Sequence, residues 1–227
     1  MGEVGSAYAG VRERVSAMVV GADPARRVPA CPEWTVKDVV AHMAGVVDDA
    51  LAGRLDGVGT DPWTALQVEA RAHRSLEDVV AEWNEKAPAF ESMLDAIGPP
   101  GEQAVFDVTT HEHDLRGALA ASGAQDSDAV GIGLRWLAPT FASQVAERGL
   151  EPLCVRTTSG DAWASEGAGD AAVEGSPFEL FRALSGRRSR SQLCALTWTV
   201  APEPFLPAFE WGPFSTPAKD VIDAPVR

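Results

Sequence analysis

The chain has 227 residues, 45% of them apolar and 23% charged, with 33 acidic against 19 basic side chains and a formal charge of -14. A chain of this length holds one large domain or two modest ones, and its acidic field repels phosphate backbones and anionic membranes, so neither nucleic acid nor membrane is an expected partner. Cys31, Cys154 and Cys194 are odd in number with no CxxC pair, which argues against a disulfide framework or a zinc finger, and without a leader-like segment or a long apolar run a soluble, cytoplasmic protein is expected.

Val11, Val15, Met18 and Val19 recur at helical spacing, so residues 5 to 21 read as a first amphipathic helix, closed between Gly21 and Pro24. Pro29 and Pro32 keep the link ARRVPACPEWT extended. Thr35 then opens a second helix as its N-cap, with Asp38 at the reciprocal position of a capping box and an apolar face through Val36, Val39, Val40, Met43, Val46, Val47 and Leu51. His42 sits at the edge of that face, half-inside. Residues 53 to 62 form a Gly- and Asp-rich loop, and a short helix starts at Pro62 or Trp63. His73, among Arg71 and Arg74, reads as a solvated surface residue. Ser75 to Asp78 is another capping pattern, opening a long helix from Leu76 to Ile97 with a kink at Pro88, and Gly98-Pro99-Pro100-Gly101 ends it.

The next helix, around DVTTHEHDLRGAL (Asp107 to Leu119), puts Ala104, Asp107, Val108, His111, Leu115, Ala118 and Leu119 on one stripe and ends near Gly123. A further helix runs from about Ser127 to Arg148 through Trp136, Leu137, Phe141 and Val145. After Gly149 the period changes: PLCVRTT, DAWAS and AAVEG read as short strands, and Ser176-Pro177 starts the helix FELFRALSG, with Gly186 past its end. Residues 189 to 198 are compatible with another helix. The tail from Ala201 is too rich in Pro and aromatic residues for regular structure and is expected to pack across another surface. The expected organisation is mainly α: a helical part over 1–150 and a small α/β part over 151–227.

A carboxylate on the core-facing stripe needs a partner such as a metal, an Arg or a hydrogen-bond donor. On a helix His111 and His113 point roughly 200° apart, so only one of them can join Asp107. HEHDL is not the zincin HExxH, since position 115 is Leu. With His42 from the second helix, Asp107 and His111 make a three-ligand set with open positions, the form of a catalytic zinc. The same residues are also compatible with core-edge histidines satisfied by Asp107 and Asp114, and spacing leaves both readings open. Cys31 lies in a Pro-flanked link with no adjacent base in the sequence, which reads as structural rather than nucleophilic.

CPEWTVKDVVAHMAG, leading into the helix of His42, and HxxDL at His111 to Leu115 resemble the N-terminal domain of the mycothiol-dependent maleylpyruvate isomerase family, within the DinB-like metal-binding bundles. SPFELFRALSGRRS resembles the family's C-terminal domain, a small α/β unit similar to sterol carrier proteins. The resemblance implies a four-helix bundle holding a divalent metal, zinc or alternatively nickel, on His42, Asp107 and His111. It also implies mycothiol as the thiol cofactor, an electrophilic small-molecule substrate, and cis-trans isomerisation by thiol addition. S-transfer to another electrophile and non-catalytic metal or thiol binding are the alternatives. The isomerase has Glu where this chain has Asp107, one methylene shorter. Arg187 matches the arginine that the isomerase uses from its C-terminal domain; Arg187, Arg188 and Arg190 also read as solvated charges favoured by a helix C-terminus.

Overall fold

Thr35, Ser75, Ser176 and Ser189 cap the helices that follow them in the computed structural model, which describes residues 2–224. The chain divides into two units, one running to Gly123 and joined by Asp223 and Ala224, the other spanning Ala124–Ile222. In the first, α1 (Glu3–Met18) is followed by β1 (Arg27–Val28) and β2 (Cys31–Thr35), which pair antiparallel. The link that its prolines keep extended is therefore a small hairpin. Thr35 Oγ1 accepts from Asp38 N at 3.2 Å, and the Asp38 carboxylate accepts from Thr35 N at 2.9 Å. This reciprocal cap starts α2 (Val36–Leu51). α3 (Asp61–Ala70) carries Pro62 in its first turn. α4 (Leu76–Ile97) is capped by Ser75 Oγ on Asp78 N and keeps Pro88 inside it. A 3-10 turn over Pro99–Gly101 leads into α5 (Glu102–Leu119).

Helices α1, α2, α4 and α5 form a four-helix bundle, with α3 packed on α2. Tyr8, Val11, Val15, Val39, Met43, Trp83, Phe90 and Leu94 are buried in its core, and a large apolar side chain so placed contributes about 1.5–3 kcal/mol. Tyr8 meets Trp83 and Phe90 edge-on with ring centroids 6.4 and 5.1 Å apart, and Trp83 Nε1 donates to its hydroxyl at 3.2 Å. Burial pushes the Tyr8 phenol well above its ordinary value, so it stays neutral.

α5 departs from the expected single stripe, because Glu112, His113, Asp114 and Arg116 are buried along with its apolar residues. A charge can be buried on such a face only if paired. Glu112, fully enclosed, takes both of its oxygens to Arg14 of α1 at 2.7 Å each, and Oε1 also accepts from Arg116 at 2.8 and 3.0 Å.

The second unit comprises α6 (Asp128–Glu147), β3 (Cys154–Thr157), β4 (Ala162–Ala164), β5 (Ala172–Gly175), α7 (Pro177–Leu184), α8 (Arg190–Ala195) and β6 (Thr197–Trp198). Its sheet has the order β4-β3-β5-β6, with β3 and β5 parallel and the outer pairs antiparallel. α6, which hydrophobic period alone groups with the preceding helices, packs on α7 and β4. Its Phe141 meets Phe209 and Trp211 at ring-centroid distances of 5.3 and 6.0 Å. The irregular tail thus does pack across another surface, and Trp211 Nε1 donates to Leu184 O at 3.0 Å. Among the described residues no helix is long and apolar enough to cross a membrane.

Candidate metal centre

The capping box that starts α2 fixes the register of His42, placing it two turns into the helix and inside the bundle, 2% exposed rather than half-inside. From α5, Asp107 and His111 approach it one turn apart. His42 Nε2 lies 3.4 Å from Asp107 Oδ2, and His111 Nε2 lies 3.8 Å from Asp107 Oδ1. The ligand-capable atoms of the three residues all fall within 4.8 Å of one another. In a tetrahedral zinc site, donors about 2.0–2.2 Å from the ion stand roughly 3.3–3.5 Å apart. The set needs only a small contraction to reach that spacing, and two imidazoles with a carboxylate suit a borderline divalent cation. These residues fit the metal that the family resemblance implies.

Both histidines are enclosed, whereas the Asp107 side chain is 33% exposed, so the open side of the set is the carboxylate. Trp34, next to the cap, lays its ring 5.2 Å from His42 and 5.6 Å from His111 between centroids. Trp63 of α3 stands edge-on to His42 at 6.4 Å. Burial draws the His42 pKa down, but the nearby Asp107 carboxylate and the hydrogen bond to Gln67 outweigh it and leave the ring above its ordinary value.

On its other edge His111 has Nδ1 3.3 Å from Asp114 Oδ2, short of hydrogen-bond geometry. That oxygen accepts from Cys31 Sγ at 3.2 Å. The expectation of a cysteine without a base beside it is therefore corrected: the fold brings Asp114 and His111 to Cys31 from 83 and 80 residues away in sequence, and the three form a second cation-capable group. The two groups share His111 but use opposite ring nitrogens, and one imidazole serves both only as an anion. His113, on the opposite face of α5, is buried and belongs to neither group. His73 is exposed, as expected.

Arg187 lies in the second unit, where its Nη1 donates to Ser185 O at 2.8 Å. Its neighbour Arg188 is buried, not solvated, and binds Glu179 through Nε and Nη2 at 3.0 and 3.1 Å. Arg190 is exposed. Gln67 escaped the sequence reading: its Oε1 is 2.7 Å from His42 Nδ1. The available signal was a glutamine among the polar positions of a short helix, which by itself points nowhere.

The family model described as the mycothiol maleylpyruvate isomerase N-terminal domain matches residues 5–126, more than half of the chain and every residue of the site. The chain belongs to this family. The family match ends just past the first unit, so it covers the bundle and not the second unit. Among solved structures, the chain is similar to the crystal structure of the mycothiol-dependent maleylpyruvate isomerase, at 14% identity and a TM-score of 0.59, covering 88% of this chain and 92% of that one. A point mutant of that isomerase matches with 13% identity, a TM-score of 0.56 and the same coverage. These two likenesses establish a shared fold. No curated protein matches by sequence.

Proposed function

We propose that this member of the mycothiol maleylpyruvate isomerase family is a metal-dependent enzyme that uses a small-molecule thiol, mycothiol, against an electrophilic carbon. The observation that carries the reading is the convergence of His42 Nε2, His111 Nε2 and the Asp107 carboxylate from two helices of the bundle. His42, Asp107 and His111 would hold the ion, and three protein ligands leave coordination open for a ligand. When bound, the cation would hold as thiolate a thiol whose free pKa is about 8.5.

The residues of the chain then have distinct tasks. The two imidazoles offer neutral nitrogen donors, and Asp107 offsets one positive charge where solvent still reaches. Trp34 walls the imidazoles with an aromatic face and keeps water from that side. In such an enclosure electrostatic interactions are stronger than in water. Arg187 is proposed as the partner of a substrate or cofactor carboxylate, a role that suits its planar fork.

Thiol addition to a cis double bond, rotation and release give isomerisation, the activity named for the structural neighbours. Retention of the thiol on the product gives S-transfer. The test is thiol-dependent turnover by zinc-loaded protein, first with maleylpyruvate and then with a panel of electrophiles. Turnover that requires both zinc and mycothiol supports the proposal. Tight binding of both without turnover of any substrate refutes the catalytic reading in favour of a binding protein.

A further inference from the structure

His42, Gly45 and Asp49 occur at i, i+3 and i+7 of α2 and so share one face of the helix. α3 lies against it. Gly45 makes this approach possible, since a Cβ there would stand 2.4 Å from Gln67 Cβ and 2.6 Å from Gln67 Cγ. Gln67 is 3% exposed and bridges the other two residues. Its Oε1 is 2.7 Å from His42 Nδ1, and its Nε2 donates to Asp49 Oδ2 at 2.8 Å. Asp49 is anchored in turn, because its Oδ1 accepts from Arg54 Nε at 2.8 Å.

The order of donors along this chain is fixed by chemistry. An ionised carboxylate only accepts, so the end of the Gln67 amide that faces Asp49 must be its NH2. The end that faces His42 is then the carbonyl, which also only accepts, so the hydrogen of a neutral His42 sits on Nδ1. The competing arrangement would put the hydrogen on Nε2, toward Asp107. That contact is 3.4 Å, beyond the usual N–H···O range of about 2.7–3.2 Å, whereas the Gln67 contact is at its short end. The competing arrangement also turns the Gln67 carbonyl onto the Asp49 carboxylate.

We infer that Asp49 and Gln67 are positioning residues that hold His42 as its Nδ1–H tautomer and so present the Nε2 lone pair to the metal. This rests on the metal reading above. His42 is the prearranged ligand of the set. His111, whose Nδ1 falls short of hydrogen-bond geometry with Asp114, has no equivalent lock through that carboxylate. Loss of such an outer partner typically costs about 10–100-fold in metal affinity.

Two measurements test the relay. Long-range 1H–15N NMR of the zinc-free protein, above the histidine titration, reads the tautomer of His42 directly and is expected to give Nδ1–H. Zinc affinity, by competition with a chromophoric chelator, is expected to fall at least about tenfold in Gln67→Leu, with a mixture of His42 tautomers. In the double variant Gln67→Glu with Asp49→Asn the new carboxylate accepts from His42 and the new amide donates to it, so affinity should return to within about threefold of wild type. A wild-type His42 protonated on Nε2, or a Gln67→Leu variant that binds zinc like wild type, overturns the inference. If wild-type protein binds no zinc, the metal reading fails by itself, and the tautomer of the zinc-free protein still decides the relay.

Discussion

Replacing Gly45 by Ala sets helix propensity against packing. In the open interior of a helix the change stabilises by about 0.5–1 kcal/mol, because the unfolded chain loses freedom. At Gly45 the new methyl carbon would lie 2.4 Å from Gln67 Cβ, 2.6 Å from Gln67 Cγ and 3.1 Å from Arg71 Nη1. Carbon atoms need about 3.5–4.0 Å, so α3 must retreat by roughly 1 Å or more. Overpacking of this kind costs about 1–3 kcal/mol, and a clash onto Cβ and Cγ rather than a flexible tip belongs at about 2–3, so after the propensity gain a net loss of about 1–2.5 kcal/mol is expected. The same retreat takes the 2.7 Å contact of Gln67 with His42 out of hydrogen-bond range, so zinc affinity should fall with stability. The control is Gly131→Ala in α6, where an added Cβ meets nothing within 4 Å and the expected gain is the full ~0.5–1 kcal/mol. Urea unfolding and chelator competition read both quantities. A Gly45→Ala variant as stable as wild type, with unchanged zinc affinity, refutes the reasoning.

Removing the buried charge by Glu112→Ala strands Arg14 and Arg116 and should destabilise by about 3–5 kcal/mol in urea unfolding; a loss under about 1 kcal/mol would mean that water takes over the carboxylate's role. For His42 the folded pKa is raised above the ordinary 6.5, so in zinc-free protein its contribution to stability is full below that value and is lost as pH rises through the folded pKa. Zinc needs the neutral ring, so zinc affinity should run the other way and weaken as pH falls through the same window. Thermal melts with and without zinc across about pH 6 to 8 check both signs, and parallel profiles would contradict them. Arg187→Lys should lower thiol-dependent turnover at least about tenfold, equivalent to about 1.4 kcal/mol, with zinc content and melting temperature unchanged, while Arg190→Lys should be silent. Wild-type turnover in Arg187→Lys would refute its proposed role toward a ligand carboxylate.

The sequence was most legible where structure depends on neighbours in the chain. The Thr35–Asp38 box, the Ser75 cap and the Pro-start, Gly-end pattern around α7 are local hydrogen bonds, and each stands where the pattern predicts it. The Asp107–His111 pair was legible for the same reason, being one helical turn apart. Features that depend on distant partners were hidden. Glu112 is buried because Arg14, 98 residues away, meets it, and a helix pattern that assigns polar residues to solvent has no way to express that. Cys31 lacks a base in its own segment and gains one only through folding. Period locates α6 but not the surface it covers, so its packing on α7 and the tail emerges only in three dimensions. β6 is two residues long, too short for alternation to register.

The central claim is a divalent ion held by His42, Asp107 and His111, and elemental analysis of protein purified without chelator and reconstituted with zinc tests it most directly. The expected result is about one ion per chain in wild type, none in His42→Ala or His111→Ala, and full retention in His113→Ala, since catalytic zinc sites keep three protein ligands. Wild-type protein that holds no ion after reconstitution, or a His113→Ala variant that loses it as completely as His111→Ala, would contradict the account.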